Sequence, residues 1–249
     1  MNELELMMLL HRNNKRQGPG SEEATNLAIT LAQIDKNKDY KIADLGCGTG
    51  AQTISLAKIL KGNIIAVDLF EEFLEKLKEN STNGNLKAHI KTLAASMDKL
   101  PFEKEEFDII WSEGAVYNIG FKNGVTYWKE YLKPGGILAV SELSWTTNNR
   151  PKELEDFWNG EYSEMDTIAG KIKVLEEAGY KVLGHFILPD VCWLDNYYNP
   201  LLDSHKDFME KFSDNGTAKL IVERDIKEVD FYKKYRDYYS YGFYIAQKI

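Results

Sequence analysis

The chain has 249 residues, 43% apolar and 28% charged, which suits one globular α/β unit with ample core and excludes a disordered chain. No apolar run reaches the roughly eighteen residues of a membrane span, so no membrane partner is expected, and the acidic start Met1-Asn2-Glu3-Leu4-Glu5 does not read as a secretory signal. A formal net charge of −8, with no Lys/Arg run beyond pairs such as Lys233-Lys234, argues against nucleic acid and for a small molecule; Cys47 and Cys192 are too few for a disulfide framework, so a reducing cytoplasm is the expected location.

Residues 1–16 read as a helix with Leu6, Leu9 and Leu10 on one side, broken at Gln17-Gly18-Pro19-Gly20. Ser21 caps a second helix, with Glu22 and Glu23 in its first turn, running to about residue 34. A strand at 40–45, a helix at 51–60, a strand at 64–67, a helix at 71–79 and a weaker strand at 88–92 follow. A strand at 107–111 comes next, then a helix ending over 127–132 at Lys133-Pro134-Gly135-Gly136, and a strand at 137–140. This alternation predicts a doubly wound, mostly parallel sheet with helices on both faces. Beyond Glu142 the rhythm changes: helices at 151–158 and 167–178, the second stopped by Gly179, a strand at 180–188, helices at 203–212 and 219–235, and a last strand at 242–246.

The strongest local signal is Asp44-Leu45-Gly46-Cys47-Gly48-Thr49-Gly50, between the first strand of the alternation and its helix. Glycines there let the backbone turn sharply and bring a ligand close to bare peptide. Val67-Asp68 ends the next strand about twenty residues on, where a carboxylate accepts hydrogen bonds from ribose hydroxyls. Gly46-x-Gly48-x-x-Ala51 with Asp68 also fits a dinucleotide fingerprint, so an NAD-dependent oxidoreductase is a rival. A carboxylate at Asp44 would repel a pyrophosphate but suits S-adenosylmethionine (SAM), which carries a sulfonium and an ammonium, and Gly50 departs from the dinucleotide spacing.

Together with later segments, this loop resembles class I SAM-dependent methyltransferases. Asp44 to Gly50 is similar to their first motif and Val67-Asp68 to their ribose-binding acid. Ser96-Met97-Asp98-Lys99-Leu100-Pro101-Phe102 resembles the adenine-flanking segment, Phe107-Asp108-Ile109-Ile110-Trp111-Ser112 the fourth-strand motif, and Leu132-Lys133-Pro134-Gly135-Gly136 the turn before the fifth strand. The blocks occur in family order over roughly 40–145, and the small-molecule branch of the ubiquinone/menaquinone-biosynthesis type is the most similar. The resemblance implies a Rossmann-like sheet of seven strands, the last antiparallel, with SAM across the strands' carboxyl ends. It implies that Gly46, Gly48 and Gly50 approach the methionine part, that Asp68 binds the ribose, and that Ser96 and Met97 border the adenine; Asp44, whose charge suits the methionine part, and Leu69 are further candidate cofactor contacts. The family's adenine segment often has an acid followed by a small residue; with Ser96-Met97 here, the Ser96 hydroxyl or a backbone amide is left to serve the base.

A single domain over 1–249 is expected, with an N-terminal helical lid (1–36), a SAM-binding core (37–145) and a substrate-side half (146–249) carrying a cap insertion at about 190–236. Methyl transfer is an in-line displacement in which the protein aligns the nucleophile and excludes water; a base is needed only if the acceptor must lose a proton. Glu113, just past the fourth strand, is positioned to contact the SAM methionine or polarise the acceptor, or else is an ordinary strand-end acid. On the lid, His11 is a candidate base and Arg16 a partner for the SAM carboxylate or an anionic substrate, against the alternative that both sit exposed on a surface helix. Tyr117, Trp145, Trp193 and Tyr197 are candidate substrate contacts, although aromatics also build ordinary cores.

Ser112-Glu113-Gly114-Ala115 lacks the Asn/Asp-Pro-Pro-aromatic motif of enzymes that methylate planar nitrogens, and no Mg²⁺-binding set for a catechol is evident, so carbon, oxygen, sulfur and aliphatic amine acceptors stay open. Cys47 reads as a packing residue, and His89, His185 and His205 form no metal motif. A non-catalytic SAM-binding module is the third reading. A homodimer stays among the expectations, because an aromatic C-terminal surface pairs subunits as readily as it lines a pocket.

Overall fold

The computed structural model describes residues 1–82 and 85–249. Its sheet is built outward from β1 (Asp39–Leu45), flanked by β2 (Lys61–Asp68) and β4 (Phe107–Glu113). Beyond β2 lies β3 (Ala88–Ala94); beyond β4 lie β5 (Leu132–Trp145), β8 (Tyr239–Lys248) and β7 (Tyr180–Ile187), giving the order β3-β2-β1-β4-β5-β8-β7. A two-residue β6 (Asp166–Thr167) pairs with the end of β5. All pairings up to β5 are parallel, while β8 runs antiparallel to both β5 and β7, as the expected reversed last strand requires.

Helices α1 (Glu3–His11) and α2 (Glu22–Leu31) precede β1, and α3 (Ala51–Ile59), α4 (Glu71–Ser81), α5 (Phe121–Trp128), α6 (Lys152–Glu161) and α7 (Ile168–Glu177) connect the strands. Between β7 and β8 the chain inserts α8 (Asp190–Trp193), one π turn over Leu194–Tyr198, α9 (Asn199–Lys211) and α10 (Gly216–Tyr235). No described helix is long and apolar enough to cross a membrane.

The sheet buries both faces, so its strands read as apolar runs, not alternations. Ile42, Ile64, Ile109, Trp111 and Ala139 pack on one side with Ala28 and Leu56; Ala43, Val67, Ile110, Leu138 and Val140 pack on the other with Phe121 and Trp128. Ser21 caps α2 through its side chain, which accepts from the Ala24 amide at 3.0 Å.

Of the boundaries that differ from the sequence reading, three have a clear local reason. The first helix stops at His11 instead of near residue 16, because the Gln17 side chain donates to the carbonyls of His11 (3.1 Å) and Asn14 (2.9 Å), replacing the next helical turn. The helix expected over 127–132 ends at Trp128, followed by one 3₁₀ turn over Lys129–Tyr131; Leu132 already pairs with Phe107, and the next matched pair is Ile109 with Ile137. Residues 133–136 are thus a bulge within β5, since Pro134 cannot continue a helix. The helix expected from 203 begins at Asn199, with Pro200 in its first turn, where a missing N–H costs nothing.

The N-terminal helix and the insertion form one body. Leu6 and Leu10 are buried against Leu201, Phe208, Ala218 and Ile221 of α9 and α10. Asn196 donates to the Gly20 carbonyl at 2.9 Å, and the Gly20 amide donates to the Cys192 carbonyl at 3.3 Å. The joint unit roofs the carboxyl ends of the parallel strands, where doubly wound folds place their ligands.

Candidate active site

Under that roof lies a cavity of about 530 Å³, within the range of roughly 300–1,000 Å³ that small-molecule sites occupy. Its floor is the loop after β1. The amides of Gly46 and Cys47 both donate to the Val67 carbonyl at 2.9 Å, which locks the ends of β1 and β2 together. The Gly48 amide donates to one oxygen of Asp68 at 2.8 Å, and the Phe70 amide donates to the other at 3.1 Å. Burial pushes the Asp68 pKa up, while its amide donors oppose that shift.

Residues 14–17 are stitched across this loop. The Gln17 amide oxygen accepts from the Thr49 amide at 2.8 Å, and the Thr49 hydroxyl lies 3.1 Å from the Asn14 carbonyl. Gly48 permits the contact: a Cβ there would run into the Gln17 amide oxygen. Gly46, Gly48, Asp68 and Leu69 all line the cavity, and Leu69 is 60% exposed at its edge.

Two loop residues expected at the cofactor do not line it. Asp44 is fully buried with its carboxylate turned into α3, accepting from the Thr53 hydroxyl at 2.5 Å and from Gln52 at 3.4 Å. Burial raises its pKa to about 7. Its carboxylate ties the strand end to the helix, so the expected contact with the SAM methionine is corrected to a structural bond. Gly50 also faces away: it forms the N-cap of α3 at φ 89°, and a Cβ there would collide with Leu77. It serves the turn and the packing of α4.

At the other end, Glu113 is held by three donors. One oxygen accepts from the Thr25 hydroxyl at 2.7 Å and from the Trp111 indole at 2.9 Å; the other pairs with Arg16 at 3.2 Å. Trp111 and Glu113 are two apart on β4, so their side chains share a face. With side chains 8% and 3% exposed, Arg16 and Glu113 form a buried ion pair, not the surface charges of the alternative reading.

On the adenine side expected from the sequence, Ser96, Met97 and Asp98 line the cavity. The Ser96 hydroxyl donates to an Asp98 oxygen at 2.5 Å. The loop is fixed by the Trp128 indole donating to the Met97 carbonyl at 2.9 Å and by the Lys99 amide donating to the Ser96 carbonyl at 3.0 Å.

Facing the loop are Leu4, Met7, Met8, His11, Tyr117, Ile119 and Tyr197. His11 stacks on Tyr197 with ring centroids 6.4 Å apart and 16° between planes, and its Nδ1 is buried without a hydrogen-bond partner among the described residues. Burial lowers the His11 pKa, which leaves the imidazole neutral near pH 7. Trp145 and Trp193, expected to touch substrate, sit in the core instead. Trp193 donates to the Ser240 hydroxyl at 2.8 Å and stacks between Tyr232 and Tyr241; Trp145 packs edge-on to Tyr239 under the Arg150 guanidinium. Both are about 5% exposed, because the antiparallel β8 brings its tyrosines over them.

Gln17, Thr25 and Asp98 have no assigned role in the sequence reading. Asp98 carried a readable signal, an acid two residues past the position where the family pattern places one. Gln17 and Thr25 carried none, since their partners lie 32 and 88 positions away.

The fixed charges on the cavity wall are Asp68, Asp98 and Glu113 against Arg16 alone, which Glu113 already neutralises. The Gly48 and Thr49 amides, natural donors to a phosphate, are taken by Asp68 and Gln17. With Arg16 paired and the Gly46, Cys47, Gly48 and Thr49 amides engaged, a pyrophosphate would meet net negative charge here, which disfavours NAD, whereas SAM brings no phosphate to the loop.

A family model described as a methyltransferase domain matches residues 36–182. Sterol 24-C-methyltransferase erg-4 of Neurospora crassa is 25% identical over 207 residues, 77% of this chain and 54% of that protein. The ubiquinone/menaquinone biosynthesis C-methyltransferase UbiE of Wigglesworthia glossinidia brevipalpis is 30% identical over 131 residues, 49% of this chain and 50% of that protein. The matches thus span about half the length of these two relatives. The crystal structure of a SAM-dependent methyltransferase from Geobacter sulfurreducens with S-adenosylhomocysteine (SAH) superposes with a TM-score of 0.82 at 16% identity over 98% of both chains, a likeness of fold.

Proposed function

The chain belongs to the methyltransferase-domain family, with SAM as its methyl donor, and on that premise we propose that it methylates a small organic acceptor held between the glycine loop and the helical roof. The observation that carries the proposal is the two-sided cavity: carboxylates and close-approach glycines on the floor, apolar and aromatic side chains opposite. The wall of Leu4, Met7, Met8, Tyr117 and Tyr197 favours a flat or apolar acceptor, and the C-methyltransferase names of two relatives are consistent with one.

SAM supplies a methyl group already activated by its sulfonium. The protein then has to orient the partners and keep water out. Gly46 and Gly48 allow close approach, and Asp68 offers its carboxylate to the ribose hydroxyls. Glu113 holds Arg16, Thr25 and Trp111; three donors commit it to positioning the roof, not to taking a proton. For an acceptor that must lose a proton, the neutral imidazole of His11 is the base on the acceptor-facing wall.

Calorimetric titration of the full chain with SAM, SAH and NAD tests the proposal. Micromolar binding of the first two without the third is expected. Binding of NAD alone would overturn it in favour of an oxidoreductase. Binding of SAM with no methyl transfer to any of a panel of phenols, enols, thiols and amines, followed by release of SAH, would favour a non-catalytic module.

A further inference from the structure

We infer that the acceptor end of the cavity is built to hold a cationic group, with Tyr117, Tyr197 and Tyr241 as its aromatic walls and Glu228 as its counter-charge. The acceptor is then a flat or apolar molecule that carries an ammonium. The inference rests on the small-molecule methylation proposed above and adds the chemistry of the acceptor's polar end.

The recess can be traced from contact to contact. Tyr117, on the 3₁₀ turn Val116–Asn118, and Tyr197, on the π turn, both line the cavity. Tyr241 arrives from β8 with its phenol end against Gly114, another lining residue; a Cβ on that glycine would sit 3.8 Å from the ring. Glu228, on α10, accepts from the Tyr198 hydroxyl at 3.0 Å. The Tyr198 ring lies 5.0 Å from Tyr197 and 5.8 Å from Trp193, and Trp193 stacks on Tyr241 at 5.2 Å. Burial raises the pKa of Tyr197 and Tyr241, and both also feel the charges of Tyr117 and Glu228, so the four groups share one space.

Glu228 does not behave as an ordinary surface acid. It is exposed by area, yet the protein around it pushes its pKa up, the combination found at the back of a concavity. Only one of its oxygens has a partner among the described residues. The neighbouring Arg224 is tied to Glu3 at 2.8 Å, and the neighbouring Asp225 to His205 at 3.0 Å. The carboxylate is thus partly removed from water without a cation of its own, a cost that a bound ammonium offsets. The tyrosine rings add the attraction of their π faces. Ammonium N–H groups also find acceptors in the Tyr197 and Tyr241 hydroxyls, which make no hydrogen bond among the described residues. An anionic acceptor would meet repulsion at the same place.

The test titrates the SAH-loaded full chain by calorimetry with 2-phenylethylammonium, 2-phenylethanol and 3-phenylpropanoate: a cation, a neutral analogue and an anion on one flat body. The ammonium is expected to bind about 10-fold more tightly than the alcohol, and the carboxylate more weakly than either. Glu228→Gln is expected to bring ammonium and alcohol within about threefold of each other. Glu223→Gln, the same change of charge at an exposed acid of the same helix, should keep the wild-type ratio. Tyr117→Leu is expected to lower the ratio about threefold, and Tyr117→Phe, which keeps the π face, to preserve most of it. No binding of the ammonium, no preference for it in the wild type, or a preference that Glu228→Gln leaves unmoved would overturn the inference. So would an equal loss in Glu223→Gln, which would assign the preference to the net charge of the chain. A wild type that fails to take up SAH would instead overturn the SAM reading itself.

Discussion

Arg16 and Glu113 lie 97 positions apart and meet at 3.2 Å with side chains 8% and 3% exposed, so one buried ion pair joins the N-terminal segment to the end of the fourth strand. Removing one partner strands the other charge away from water. Glu113→Ala is expected to lower unfolding free energy by about 3 kcal/mol, and the double substitution Arg16→Met/Glu113→Leu by clearly less than the two single changes combined. Urea unfolding monitored by tryptophan fluorescence measures both. A Glu113→Ala protein within about 0.5 kcal/mol of the wild type would show that the pair contributes nothing.

Asp44 should make stability depend on pH. Burial raises its pKa from 3.8 to about 7. The folded chain then holds a proton that the unfolded chain has released, so this group's contribution is fully present below 3.8 and is lost as pH rises through about 7. The expected loss is roughly 4 kcal/mol at most across that window. Asp44→Asn should flatten the profile. An unchanged slope in unfolding titrations between about pH 4 and 8 would remove Asp44 as its source.

Two glycines of one loop should fail differently. Gly48→Ala drives a methyl into the Gln17 amide at the cavity floor, so SAH affinity should fall by about 10-fold or more. Gly50→Ala meets Leu77 at a left-handed backbone position, so stability should fall by about 2 kcal/mol while the folded fraction still binds SAH. Thermal unfolding and calorimetry on both variants separate the effects, and identical profiles would refute the distinction.

Trp193 should behave as a core residue. Trp193→Ala is expected to cost about 3–5 kcal/mol, and Trp193→Phe, which keeps most of the packing but leaves Ser240 without its indole donor, about 1–2 kcal/mol. Tyr197→Ala should cost less stability and weaken acceptor binding instead. A Trp193→Phe variant with normal stability and a raised acceptor KM would place Trp193 in the site after all.

The order of strands and helices could be read from spacing alone, because each signal is local: capping at Ser21, apolar runs in the buried strands, Gly179 after a helix. Asp68 and the glycines that line the cavity were readable for the same reason, since one short turn fixes them. The errors arose where partners are distant. Asp44 looks like a ligand contact until Thr53 and Gln52 are seen on the next helix, and Trp193 looks like a cap residue until β8 returns with Tyr239 and Tyr241. The ion pair of Arg16 with Glu113 has no local signature.

The bonds that fasten residues 14–17 across the glycine loop have a kinetic side. Lifting that segment would break the Thr49 contacts and the Arg16–Glu113 pair together. Opening of this kind is local unfolding, with a frequency set by its own free energy and independent of the chemistry below. Substitutions at Gln17 or Arg16, far in sequence from the loop they cover, would then act on how often that segment lifts.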